Sequence, residues 1–216
     1  MCKAIPLLAA LIVLPGAPRA LPAQEAADLE GDHLYQVVML RAAPGRLPEL
    51  IELLKEERDL LGDVNEPLPL WMRHSQGDQW DLMLLYPMGD FHSYYEPVRT
   101  ARRLTSGERK GLSEERLRME ADLLTSLREE LFVKGPDPRA LGRAFADNGY
   151  YHVEMMVALA GKHRELLDER RMENVYRREL GRPVNFIFVR EAGGPWDTFT
   201  IGFYRDIRHF AETSSF

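Results

Sequence analysis

Residues 77–90 read GDQWDLMLLYPMGD and residues 193–206 read GGPWDTFTIGFYRD, so one chain carries nearly the same phrase twice. Sliding residues 33–96 onto residues 149–212 at a constant offset of 116 needs no gap and gives 14 identities in 64 positions. Among them are Tyr35 with Tyr151, Val37 with Val153, Gly45 with Gly161, Glu57 with Glu173, Pro67 with Pro183, and the pair Trp80-Asp81 with Trp196-Asp197. About four matches are expected by chance at ordinary residue usage, and tryptophan is rare. An internal repeat constrains the fold more than any composition figure, because each copy must build the same supersecondary unit.

Both copies share one grammar. LYQVVMLRA and YYHVEMMVA are short and rich in β-branched and aromatic residues, as strands are. After Gly45 and Gly161 apolar residues recur at helical spacing, until Pro67 and Pro183 forbid continuation. LPLWMRHS and VNFIFVRE, a glycine-containing turn, then WDLMLLY and WDTFTIGFY read as strand, hairpin and strand. Asp90 and Asp206 are placed to cap a second helix. Strand, helix, strand, strand, helix is most of a ferredoxin-like βαββαβ unit, whose helices cover one sheet face and leave the other bare. The expected fold class is therefore α+β, two tandem ferredoxin-like repeats packed sheet to sheet as a pseudo-dimeric α/β barrel.

The domain reading assigns residues 33–134 to the first repeat, including a long charged helix over 113–131. It assigns 135–148 to a connecting helix and 149–216 to the second repeat. Phe216 aligns with Thr100, so that second repeat is incomplete in this sequence, and a fragment of a longer frame is the favoured reading.

The Tyr-rich first strands, the Gly-Lys or Gly-Arg opening of the first helix and the closing FTIGFYRDIRHFAE resemble the dimeric α/β-barrel superfamily. That group includes the NIPSNAP, EthD-like and antibiotic-biosynthesis-monooxygenase-like families and haem enzymes such as the chlorite dismutases. The resemblance covers about 128 residues and is architectural; it implies a fold and no particular reaction.

Ahead of the repeats, MCKAIPLLAALIVLPGAPRALPA places one Lys before a short apolar stretch ending in small residues, the pattern of a secretory signal over residues 1–23, cut near Ala23 or Ala20. Export to the periplasm or beyond is the expected localisation, and no integral membrane span is expected after cleavage. Cleavage would remove Lys3, Arg19 and the single cysteine, Cys2, leaving 26 basic residues against 34 acidic ones and a net charge of −8. Disulfide and thiol chemistry are then excluded, and nucleic acid is not an expected partner, since phosphate neutralisation needs a basic surface.

Strand alternation sorts side chains by face. In the second copy Tyr151, Val153 and Met155 share one face and are expected to meet the helices. His152 and Glu154 share the other, about 7 Å apart by the usual strand rise, and are expected to point into the interior shared by the two repeats. The same parity adds Asn185, Trp196, Thr198, Thr200 and Tyr204 to that wall. The first copy offers Gln36, Val38, Leu40, Trp71, Arg73, Trp80, Leu82 and Leu84. An aromatic, apolar wall facing a polar one suits a small ligand with a flat apolar body and a polar or anionic edge, with Arg73 holding a carboxylate. His152 and Glu154 are the candidate catalytic pair for proton transfer; the alternative is an ion pair on a solvated face.

No HExxH or paired-cysteine spacing points to a metal. No cofactor is required by any motif; haem through His92, His152 or His209 stays open. The leading expectation is an exported small-ligand-binding protein. The alternatives are a cofactor-independent oxygenase or isomerase acting on an aromatic or polyketide-like molecule, and a scaffold docking a protein partner through the charged helix. Whether the chain is an enzyme is left undecided, and a homodimer is allowed.

Overall fold

The structure, a computed structural model, describes residues 29–75, 79–111 and 113–214. The candidate signal at residues 1–23 lies outside the described residues.

The first half runs β1 (His33–Ala42), α1 (Leu47–Asp63), β2 (Leu70–Arg73), β3 (Leu82–Gly89), α2 (Phe91–Tyr94), α3 (Pro97–Arg109), α4 (Glu114–Leu124) and β4 (Thr125–Gly135). After the connecting helix α5 (Pro138–Asp147) come β5 (Tyr150–Met156), α6 (His163–Glu179), β6 (Asn185–Gly193), β7 (Thr198–Tyr204) and α7 (Ile207–Ser214). The strands form one curled antiparallel sheet in the order β2-β3-β1-β4-β6-β7-β5. Its first four strands follow the ferredoxin-like order, with the closing strand beside the first.

Register recurs at the same offset as the sequence. Tyr35 opposes Pro87 and Met39 opposes Met83, while 116 residues on Tyr151 opposes Phe203 and Met155 opposes Phe199. Met72 opposes Met83, and Phe188 opposes Phe199. The doubled Trp-Asp has a local physical cause. The Asp81 carboxylate accepts the backbone N–H of Ala42 at 2.8 Å, and the Asp197 carboxylate accepts that of Ala158 at 2.9 Å. Each aspartate thus satisfies a donor where the first strand of its half runs out. Trp80 stacks on His74 and packs, like Trp196, into the apolar interior. The glycine that ends the turn into each first helix has positive φ, 78° at Gly45 and 76° at Gly161.

Two corrections to the sequence reading follow. The stripe Leu117, Ala121, Leu124, Leu127, Leu131 was expected to form one helix over 113–131, yet the helix ends at Leu124. Leu127, Leu131 and Val133 also share one strand parity, interrupted by Glu129, and the chain takes the extended option because β4 pairs on both sides, with β1 and with β6. The second correction concerns the faces. The parity sets within the strands are right but their directions are reversed, and Trp80 and Trp196, placed with Gln36 and Thr198, lie instead with Tyr35 and Phe199 in the interior. Tyr35, Val37, Met39, Leu85, Leu131, Val133, Phe188, Phe199 and Ile201 fill one shared apolar interior, packed against Tyr151, Val153 and Met155. Leu141 and Phe145 of α5 pack into it too. His152 and Glu154 instead lie on the face covered by helices.

Candidate functional site

Cavities occur on the helix side of the sheet, at matching places in the two halves. The first, of about 360 Å³, lies between the sheet, α1, α3 and α4. Its apolar floor is Val38, Leu40 and Leu84, with Leu54 and Leu60 of α1 and Leu117 and Ala121 of α4. The polar groups are tied together: Tyr86 donates its hydroxyl to Glu57 at 3.2 Å, Gln36 donates to Glu130 at 3.1 Å, and Arg128 donates to the other oxygen of Glu130 at 2.6 Å. Burial, and then the neighbouring Glu57 carboxylate, push the Tyr86 hydroxyl well above its ordinary pKa, so it stays a protonated donor. Arg103 lies over the Tyr94 ring at 4.1 Å and donates to the Tyr94 carbonyl at 3.1 Å, forming one edge of the opening.

The second cavity, about 310 Å³, is lined by His152 and Glu154 of β5, Glu173, Tyr176 and Arg177 of α6, Leu180, Arg182, and Phe210 and Thr213 of α7. Seven of these positions are first-cavity positions displaced by 116: Gln36 becomes His152, Val38 becomes Glu154, Glu57 stays glutamate at 173, and Leu60, Leu61, Val64 and Tyr94 become Tyr176, Arg177, Leu180 and Phe210. The His152 ring packs on Phe210 at 4.9 Å. Glu154 accepts from Thr200 at 3.3 Å and lies 3.6 Å from Arg170. Arg170 and Arg177 each meet Glu173 at 2.7 Å, and Arg177 donates to the Tyr204 hydroxyl at 3.4 Å.

The structure thus links Glu154, Thr200 and Tyr204 through Arg170, Glu173 and Arg177 at the second cavity, which His152 also lines. Gln36 sits apart, in the first. Asn185 is buried behind the network, held by Asn174, which accepts its N–H at 2.7 Å and donates to its carbonyl at 2.8 Å. Thr198 donates to the Phe188 carbonyl and is spent on the sheet. Trp71 packs beside Val38 and Leu40, and Arg73 is exposed on β2; neither lines either of these two cavities. Trp80 and Trp196 belong to the interior core, on the opposite face from both cavities. Sequence reasoning missed Glu57, Tyr86, Arg128, Glu130 and Arg177. The Glu57 and Glu173 identity was the available signal.

Among the described residues no group of three or more His, Cys, Asp or Glu is placed to hold a metal ion, and no helix is long and apolar enough to cross a membrane. Of His92, His152 and His209, only His152 lines one of these two cavities. That cavity is bordered by two carboxylates and two guanidinium groups, with few apolar side chains to flank a macrocycle, so it does not fit haem.

No family model matches this chain, and no curated protein matches it. Solved structures do. A provisionally named monooxygenase from Lactobacillus acidophilus matches over 85% of this chain and 81% of its own, with 8% identity and a TM-score of 0.42. A provisionally named chlorite dismutase matches over 84% of each chain, with 12% identity and a TM-score of 0.44. A haem-binding protein from Thermus thermophilus matches over 86% of this chain and 82% of its own, with 14% identity and a TM-score of 0.39.

Proposed function

We propose that this chain is an exported small-ligand-binding protein built as two tandem ferredoxin-like repeats of the α/β-barrel superfamily, and that its ligand occupies the first cavity. The carrying observation is that cavity: about 360 Å³, at the lower end of the range of small-molecule sites, with an apolar floor and a polar rim of Gln36, Tyr86, Arg103, Arg118 and Arg128 beside the carboxylates Glu57 and Glu130. A flat apolar body would lie on Val38, Leu40 and Leu84, and an anionic edge would meet the arginines. Export rests on residues 1–23 alone, and N-terminal sequencing of protein secreted by its host tests it.

A panel of planar aromatic carboxylates, scored by thermal shift, tests the binding reading. A ligand at one hundred times its dissociation constant adds about 2.7 kcal/mol, roughly 5–10 °C for a chain of this size. Ala121→Phe, which fills the cavity from α4, should abolish the shift. No shift with any compound, or one unaffected by Ala121→Phe, overturns the reading.

A second reading, an isomerase or oxygenase without cofactor, is favoured by His152 and Glu154 lining one cavity with Glu173, Tyr176 and Arg177. Here His152 would accept a substrate proton while Arg177 and Arg182 met developing negative charge. Turnover of a panel member that survives His152→Ala would sink it. The scaffold reading is weakened, because residues 125–131 belong to β4 and the charged helix is only Glu114–Leu124.

A further inference from the structure

The arginines that line the first cavity differ in what they already hold. Arg103 reaches it from α3, Arg118 from α4 and Arg128 from β4. Arg128 donates to Glu130 at 2.6 Å. Arg103, its side chain only 12% exposed, lies 3.6 Å from buried Glu66 and donates to the Tyr94 carbonyl at 3.1 Å. Arg118 is exposed, and among the described residues it makes no hydrogen bond or ion pair. Asp122, four residues on, stands after the base rather than before it, the weaker order for a helical ion pair.

The carboxylates stand on the sheet side. Gln36 of β1 lies opposite Tyr86 of β3, and the next inward pair sets Val38 opposite Glu130 of β4, so these side chains occupy adjoining rows of one floor. They are satisfied among themselves: Tyr86 donates to Glu57 and Gln36 donates to Glu130. An anion lowered to this floor would meet two carboxylates, and it could gain Arg128 only by stripping Glu130 of its partner. An anion at the mouth meets the uncommitted donor fork of Arg118, whose planar geometry matches a carboxylate.

We propose that Arg118 is the specificity-determining residue of the first cavity, holding the single carboxylate of a planar apolar acid at the mouth while the uncharged end of that acid rests on the sheet. This rests on the small-ligand reading of the cavity, and adds to it an orientation and a charge. Acids with one charged end enter, and molecules charged at both ends do not. A hydroxyl at the inner end is accepted, because it can donate to a carboxylate there.

Isothermal titration calorimetry on the full chain, with β-naphthoate, its neutral amide and the naphthalene dicarboxylate that carries acids at opposite ends, tests the assignment. Wild type should bind the naphthoate about tenfold more tightly than the amide, and molar salt should erode that preference because the guanidinium is exposed. Arg118→Gln should bring the naphthoate down to the affinity of the amide and leave the amide unchanged. Arg118→Lys should keep part of the preference, since the charge stays and the fork is lost. The dicarboxylate should bind wild type about tenfold more weakly than the naphthoate, a result that serves if an Arg118 variant fails to fold by circular dichroism. A naphthoate preference that survives Arg118→Gln overturns the proposal. So does a wild type indifferent to the charge of the ligand, or a dicarboxylate that binds as tightly as the naphthoate. In those three cases binding that Ala121→Phe abolishes still upholds the small-ligand reading. If neither the naphthoate nor its amide binds, the proposal falls, and the small-ligand reading falls with it only when the whole aromatic panel fails as well.

Discussion

Removing the Glu66 carboxylate should unlatch the roof of the first cavity. Glu66 is buried just past the end of α1 and meets three arginines of α3. Arg99 approaches with Nε at 2.9 and 3.0 Å and Nη2 at 2.6 Å, and its Nη1 reaches the Met88 carbonyl at 3.3 Å. Arg103, which edges the cavity, lies 3.6 Å away. Arg102 is half exposed and adds little. Deleting one partner of a buried ion pair costs about 3–5 kcal/mol, because the other charges stay buried. Glu66→Ala should therefore lower Tm by roughly 6–20 °C at 2–4 °C per kcal/mol, and Glu66→Gln, which keeps shape and an acceptor, by less. Burial alone would raise the Glu66 pKa, but the hydrogen bonds and charge of Arg99, with Arg102 and Arg103, hold it below the ordinary carboxylate value. A depressed pKa gives stability that is fully present above the unfolded value, about 4.3, and is lost as pH falls through the lower folded value. Wild type and Glu66→Gln should thus differ undiminished at pH 5 and converge only in stronger acid. Calorimetry measures both effects. A Glu66→Ala cost under about 1 kcal/mol would show that the arginines find other partners and that this carboxylate does not hold α3.

Other tests address the sheet. In Gly135→Ala the new Cβ would lie 2.6 Å from Cε1 of the fully buried Phe188, which stacks on Phe199. The expected loss is about 1–3 kcal/mol by chemical denaturation. Asp81→Ala and Asp197→Ala each strand a strand-end N–H, at about 1–2 kcal/mol. Asp197 should cost more because it also pairs with Arg190 and His163. The backbone N–H of Ala158 first, then Arg190 and His163, depress the Asp197 pKa, so its contribution should persist down to about pH 4 and fade below.

Much of the fold was legible because it was written twice. The strands, the turn glycines and the two helix-capping aspartates follow from local chemistry and recur in register. The direction of each sheet face was not legible from the strands, since alternation is blind to sign. The neighbouring helix held the answer. In α6 the only buried side chain is Asn174, and Arg170, Glu173 and Arg177 are partly buried. A helix that turns charges inward can only cover the polar set, His152 and Glu154, which leaves Tyr151, Val153 and Met155 for the interior. The extent of α4 was hidden for another reason. Leu127 and Leu131, four apart, satisfy both periods, and only the two partners of β4 decide between them.

The matched cavities carry different chemistry because water reaches them differently, and one exchange tests that cause. Glu154 is tolerated beneath α6 because Arg170 stands 3.6 Å away and its own side chain is 35% exposed. At the equivalent places in the first half stand Val38 and Leu54, both almost fully buried under α3 and α4. Val38→Glu would put a carboxylate where no arginine matches Arg170, costing about 3–5 kcal/mol if it ionises and less if it takes up a proton. Adding Leu54→Arg rebuilds the missing partner and should recover part of that loss, a coupling that a double-mutant cycle reads directly. Equal costs for Val38→Glu with and without Leu54→Arg would mean that the two halves do not share side-chain geometry at these positions, whatever their backbone registers.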